Sequence, residues 1–185
     1  TERFGRWFFG IGFVAPERAI PLYFQIVSNA PNIHLSREAL FCAAAIYQEK
    51  RQYEEAIRAY SDLQTRYPGT DEAQTAAVEQ LHCMLGIARR EPHHVRHTAN
   101  TRDAVALYLR EHPETSHREM LTAALAEMDA RLAQTLLEQA QVYERARKRG
   151  AALDLYRELA ATYPASPHAD EARAKISQME SAAPK

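Results

Sequence analysis

The stretch Tyr53-Glu54-Glu55-Ala56-Ile57-Arg58-Ala59-Tyr60-Ser61-Asp62-Leu63-Gln64-Thr65-Arg66-Tyr67-Pro68-Gly69-Thr70 decides the fold. Ala56, Tyr60 and Leu63 stand 12, 8 and 5 positions before Pro68. Steps of four and three put them on one helical stripe, and a proline, lacking an amide hydrogen, ends the helix. The same offsets recur in Ala19, Tyr23 and Ile26 before Pro31, and in Ala152, Tyr156 and Leu159 before Pro164. A weaker copy carries Thr101 at the alanine position, then Val105 and Tyr108, and runs to His112-Pro113.

A second amphipathic helix precedes each good copy. Leu40, Ala43, Ala44 and Tyr47 lead to Ala56, and Leu136, Ala140 and Tyr143 lead to Ala152. The joining turns read Glu49-Lys50-Arg51-Gln52 and Arg147-Lys148-Arg149-Gly150. Each unit is therefore an antiparallel helical hairpin, with alanine where two backbones approach to about 8–10 Å. The prolines are 37, 45 and 51 residues apart, so a uniform array of about 34 residues is excluded. The fold expected is an all-α, helical-hairpin solenoid with irregular repeats, in one domain. Its parts are a partial first repeat over 1–33, a second over 34–69, a stretched third over 70–115, a fourth over 116–166 and a capping helix over 167–180.

Composition agrees. Six glycines, 46% hydrophobic residues and a formal net charge of −1 in 185 residues fit a soluble helical chain with a continuous core. The balanced charge leaves no phosphate-neutralising excess, so nucleic-acid binding by bulk charge is excluded. No apolar run approaches the roughly 20 residues of a spanning helix. Cys42 and Cys83 lie in apolar helical pattern and read as small hydrophobes. The chain begins at Thr1 rather than Met, compatible with a leader or lipid anchor upstream.

The remaining segments follow the same logic. Residues 71–90 read as a helix capped by Thr70 or Asp71, with Ala73, Ala77, Leu81 and Leu85 on one face. A polar loop with Pro92 is expected from Arg90 to Asn100, carrying about eleven extra residues relative to a regular repeat. Ser116 to Lys148 contains neither Gly nor Pro and accommodates two helices or one bent one. Ser166-Pro167 opens a last helix through Met179, with Pro167 in its first turn. Phe4, Trp7, Phe8, Phe9 and Phe13, beside Arg3 and Arg6, read as the remnant of the first helix of repeat one. The alternative is a membrane-interface or partner-docking segment.

In this register the chain resembles the tetratricopeptide repeat: its small, aromatic and proline positions fall on Ala44, Tyr47, Ala56, Tyr60 and Pro68, and on Ala140, Tyr143, Ala152, Tyr156 and Pro164. Leu63 and Leu159 depart from the family's usual second-helix alanine. The resemblance implies a groove lined by the first helices. Its positions would be Glu38, Phe41, Ala45, Gln48 and Glu49 in the second repeat, and Gln134, Leu137, Gln141, Glu144 and Arg145 in the fourth. Phe41 and Leu137 are the expected anchors for an extended or helical partner segment. The lysine–asparagine clamp of the family's chaperone-binding members is missing from both copies. The order of uneven repeats, with Tyr53–Thr70, the His112-Pro113 copy and Tyr163-Pro164-Ala165-Ser166-Pro167, further resembles the BamD/ComL family of outer-membrane assembly lipoproteins. That resemblance implies a place on the periplasmic side of the outer membrane, a lipid anchor upstream and assembly subunits as partners. The cell-division coordinator CpoB shares the tyrosine-proline copies, and a cytosolic regulatory repeat module is the other alternative.

Catalytic signals are weak. No G-x-x-x-x-G-K-[ST], G-x-G-x-x-G, H-E-x-x-H or G-x-S-x-G occurs. His93, His94 and His97 beside Glu91 read as a solvated insert rather than a metal site, since no further ligand has motif spacing. The basic run Arg145, Arg147, Lys148 and Arg149 reads as a complement to a helix C-terminus, the alternative being a site for acidic lipid or a partner's carboxylates. The expectation is a non-enzymatic scaffold without catalytic residues, metal or cofactor, binding other proteins.

Overall fold

The computed structural model describes residues 16–31 and 33–181. The aromatic block Phe4 to Phe13 lies outside them. After a 3₁₀ turn at Pro16–Ala19, the described chain runs through helices α1 (Ile20–Asn29), α2 (His34–Glu49), α3 (Tyr53–Arg66), α4 (Asp71–Arg90), α5 (Val95–Glu111), α6 (Arg118–Arg145), α7 (Arg149–Thr162) and α8 (Ala169–Ser181). It contains no strand among the described residues. The architecture is all-α, built of helical-hairpin repeats. Two compact units divide it, one up to Arg89 and the other from Arg90 onward.

In the first unit α2 packs against α1 and against α3. Ala44 and Ala56 are completely buried, with Leu40, Tyr60 and Leu63 around them. Each buried leucine contributes about 1.5–3 kcal/mol relative to exposure. In the second unit α6 packs against both α5 and α7, and α8 closes on α7. Ala140, Ala152, Tyr156 and Leu159 occupy the positions of their first-unit counterparts and are equally buried.

The prolines do what the spacing predicts, and in the same way four times. The residue before each proline (Ala30, Tyr67, His112, Tyr163) caps a helix by donating its N–H to the carbonyl four residues back, at 2.9–3.0 Å. Its own backbone leaves the helical region, with ψ between 55° and 67°, as the following proline ring favours. Its carbonyl then accepts from the third residue on, closing a turn around the proline. Thr70 is the N-cap of α4, its hydroxyl oxygen accepting from Ala73 N–H at 3.3 Å.

The two hairpin turns are also copies. Gln52 N–H reaches Tyr47 C=O and Arg51 N–H reaches Gln48 C=O, both at 2.9 Å. Lys148 to Tyr143 and Arg147 to Glu144 repeat those bonds at the same distance. This is a Schellman closure, which needs a left-handed residue at its corner. That residue is Arg51 (φ 59°) in one turn and Arg147 (φ 57°) in the other.

Two expectations change and one open choice closes. The loop expected over Arg90 to Asn100 shrinks to a turn, and α5 begins at Val95. The stretch is polar but helical: Thr98 and Thr101 point inward, each 2% exposed, while Arg96, Asn100 and Asp103 stay on the wetter side. Of the two readings left open for Ser116 to Lys148, the structure has the single helix, and at 28 residues α6 is long enough to serve both α5 and α7. Finally, α8 starts at Ala169, leaving Pro167 in the preceding turn, where Ser166 Oγ accepts from His168 N–H at 3.2 Å. Asp170 and Glu171 do lie in its first turn, where the helix dipole favours them.

Candidate protein-binding surfaces

Each unit presents a surface made by two helices that are not sequential: α2 with α4, and α6 with α8. Polar side chains join them. In the first unit Tyr60 donates its hydroxyl to Gln48 Oε1 at 2.7 Å, and Gln48 Nε2 donates to Glu79 at 2.7 Å. Further along the same pair, Glu72 of α4 receives His34 at 3.2 Å and Arg37 at 3.6 Å from α2. His34 also lies 3.6 Å from Glu38.

In the second unit Tyr156 donates to Glu144 at 2.7 Å, and Lys175 of α8 reaches the other oxygen of Glu144 at 2.9 Å. Gln141 adds a 3.3 Å bond to Glu171. Lys175, and then the Tyr156 hydroxyl, hold the Glu144 carboxyl below its ordinary range. Burial, and then the bond to Glu144, raise the Tyr156 phenol. The Tyr60 phenol is raised mainly by burial, with Glu79 adding to it.

The expected groove residues distribute unevenly. Gln48, Gln141 and Glu144 stand on these inter-helix bridges. Phe41 is half-buried and meets the Tyr60 ring edge-on, with centroids 5.6 Å apart. Ala45 is partly covered, and Glu49 is exposed at the end of α2. Gln134 turns back along its own helix to Glu138 at 2.6 Å. Leu137 is 4% exposed and sits in the core with Ala133, Ala140 and Ala152, so almost none of it faces a partner. Arg145 is exposed, its Nε bonded to the Gln141 carbonyl at 3.3 Å. The sequence reading missed Glu79, Lys175 and Glu171, because their helices meet α2 and α6 only in the folded unit.

Both cysteines are free, and Cys83 is fully buried, its thiol pushed up to about 12 by desolvation. His94 and His97 stack at 3.8 Å, and His97 Nδ1 lies 3.0 Å from a Glu91 oxygen. Among the described residues no cluster of three or more ligating side chains could hold a metal. A cleft of about 340 Å³ lies between α1, α2 and α3, lined by Phe24, Tyr47, Glu55, Arg58, Ala59 and Asp62. No described helix is long and apolar enough to cross a membrane.

Comparison with known proteins agrees with the repeat register. The tetratricopeptide-repeat family model matches residues 38–70 and 134–166, the α2–α3 and α6–α7 hairpins with their exit turns. Tetratricopeptide repeats generally bind other proteins or peptides. No curated protein matches the chain.

Proposed function

We propose that this chain is a non-enzymatic protein-binding scaffold, a BamD-like component of outer-membrane protein assembly on the periplasmic side of the outer membrane. The single observation that supports binding is the pair of α2–α4 and α6–α8 surfaces, held rigid by Tyr60–Gln48–Glu79 and Tyr156–Glu144–Lys175. Rigid stacked helices present an extended surface with little ordering cost on association, which is how a helical repeat gains affinity. The envelope placement rests on the order of uneven tyrosine-proline repeats and is the finer part of the reading.

The test is photocrosslinking in cells that express the full-length protein, with the reactive residue at Phe41 or at Gln141. Covalent adducts with outer-membrane assembly subunits are expected. Adducts confined to cytosolic proteins would overturn the placement, and no protein adduct at either position would overturn the scaffold reading.

A further inference from the structure

The α6–α7 turn carries Arg145, Arg147, Lys148 and Arg149 within five positions. Their arrangement is poorly explained by helix stability. Arg145 stands in the last turn of α6, where a cation is favoured. Arg147 lies beyond that end. Lys148 is the N-cap of α7 and Arg149 its first residue, at the positive end of the α7 dipole. The first turn of α7 contains no acidic residue to offset them.

The corresponding turn of the first unit shares the left-handed arginine, Arg51 for Arg147, but differs at the positions around it. Glu49 stands where Arg145 does, Gln52 caps α3, and Glu54 and Glu55 occupy its first turn. Its Lys50 is neutralised by Glu17 at 3.3 Å. Among the described residues no carboxylate pairs with Arg145, Arg147 or Lys148, and all three are exposed. The backbone is the same in both turns although Glu49 and Gln52 stand where Arg145 and Lys148 do, so those two cations are not needed to build it.

Apolar surface lies beside them. Val142 is 54% exposed and Tyr143 38% exposed on the last turns of α6. Lys148 Nζ lies 5.8 Å from the Tyr143 ring centroid, so a cation covers the ring face. A membrane surface calls for aromatic rings free to insert and for several apolar side chains. Here one ring is covered and one aliphatic is open. Arg145 and Arg147 are arginines, whose planar forks match carboxylates in pairs.

We infer that Arg145, Arg147 and Lys148, with Val142 and Tyr143, form a docking site for an acidic peptide segment that carries an apolar residue beside its carboxylates. This deepens the scaffold reading and rests on it, since it names the partner chemistry at one end of the α6–α8 surface.

The experiment measures fluorescence anisotropy of a labelled peptide alternating Glu and Leu, titrated with the full chain. Binding is expected, weakening as salt is raised. The double variant Arg145→Glu, Lys148→Glu should bind about tenfold or more weakly. Lys50→Glu, in the first turn, should bind as the parent does. Matched melting curves show that each variant is folded; if the double variant melts early, Arg145→Gln with Lys148→Gln gives the same comparison without charge reversal. No binding by the parent, or unchanged binding by both double variants, overturns the inference. So does binding to anionic phospholipid vesicles without binding to the peptide. Crosslinking at Phe41 reads the scaffold function independently, so loss of one result leaves the other standing.

Discussion

Tyr156 donates its hydroxyl to Glu144 at 2.7 Å, and a neutral glutamine accepts the same bond from Tyr60 in the other unit at the same distance. One geometry thus runs on two charge patterns. Gln48 meets the anion Glu79, whereas Glu144 meets the cation Lys175. The difference gives the Tyr156 bridge a titrating acceptor where the Tyr60 bridge has a neutral amide.

Glu144 has a folded pKa below its unfolded value, because Lys175 and Tyr156 favour its charged form. The folded state therefore gives up this proton more readily than the unfolded state. Its stabilisation is present above the unfolded carboxylate pKa of about 4.3 and is lost as pH falls through the folded value. Glu144→Gln, which copies Gln48, should lower stability near neutrality and flatten its acid dependence. Urea unfolding across an acid series checks this, and an unchanged slope would contradict it.

On the alkaline side both units respond alike. The Tyr60 and Tyr156 phenols are raised, first by burial, so the folded state holds these protons longer. Their contribution is complete below the unfolded tyrosine pKa of about 10 and is lost as pH rises beyond it. Tyr60→Phe with Tyr156→Phe should reduce the alkaline loss of stability, read by thermal melting, while costing about 1 kcal/mol per lost hydrogen bond at neutral pH.

Ala56 and Ala152 tighten the hairpins, being wholly buried between paired helices. Ala56→Trp should destabilise by at least about 1–3 kcal/mol, because the added volume forces the helices apart. The same change at Ala151, the neighbour of buried Ala152 and itself partly exposed, should cost much less. Differential scanning calorimetry gives the comparison.

These residues were the readable ones. Alanine, tyrosine and proline at fixed offsets are local signals, and Ala56, Tyr60, Pro68 and their counterparts carry the register without any help from distant chain. What the sequence concealed depends on packing. Leu136 and Leu137 are equally apolar neighbours, but Leu137 shares a stripe with Ala133 and Ala140 and is the one that is buried. The start of α5 was hidden because its first turns read Arg96, His97, Thr98 and Asn100, a loop-like composition in which only Thr98 is buried. Glu79 and Lys175 became visible only when α4 met α2 and α8 met α6, across separations of 31 residues.

Two helical glycines should respond in opposite directions. A Cβ on Gly86 would come within 2.7 Å of the Tyr53 ring, whereas one on Gly150 meets nothing within 4 Å. Gly150→Ala should stabilise by up to about 1 kcal/mol through helix propensity. Gly86→Ala sets that gain against overpacking of about 1–3 kcal/mol, for a net loss. In a Tyr53→Ala background the same change at Gly86 should become stabilising. A loss of equal size in both backgrounds would show that the ring is not its cause.

The two bridging pairs should be exchangeable as pairs and not singly. Gln48→Glu would place a second carboxylate against Glu79, where the amide now donates at 2.7 Å, and should destabilise the first unit. Glu79→Lys alone would turn a cation toward the Gln48 amide and toward His82, which now lies 3.1 Å from Glu79. Together the two changes recreate the Glu144–Lys175 pair on the same backbone geometry. The double variant should be more stable than the sum of the single effects by about 1 kcal/mol. A double-mutant cycle by chemical denaturation measures that coupling. Zero coupling would mean that α2 and α4 do not hold Gln48 and Glu79 in the register that α6 and α8 give to Glu144 and Lys175.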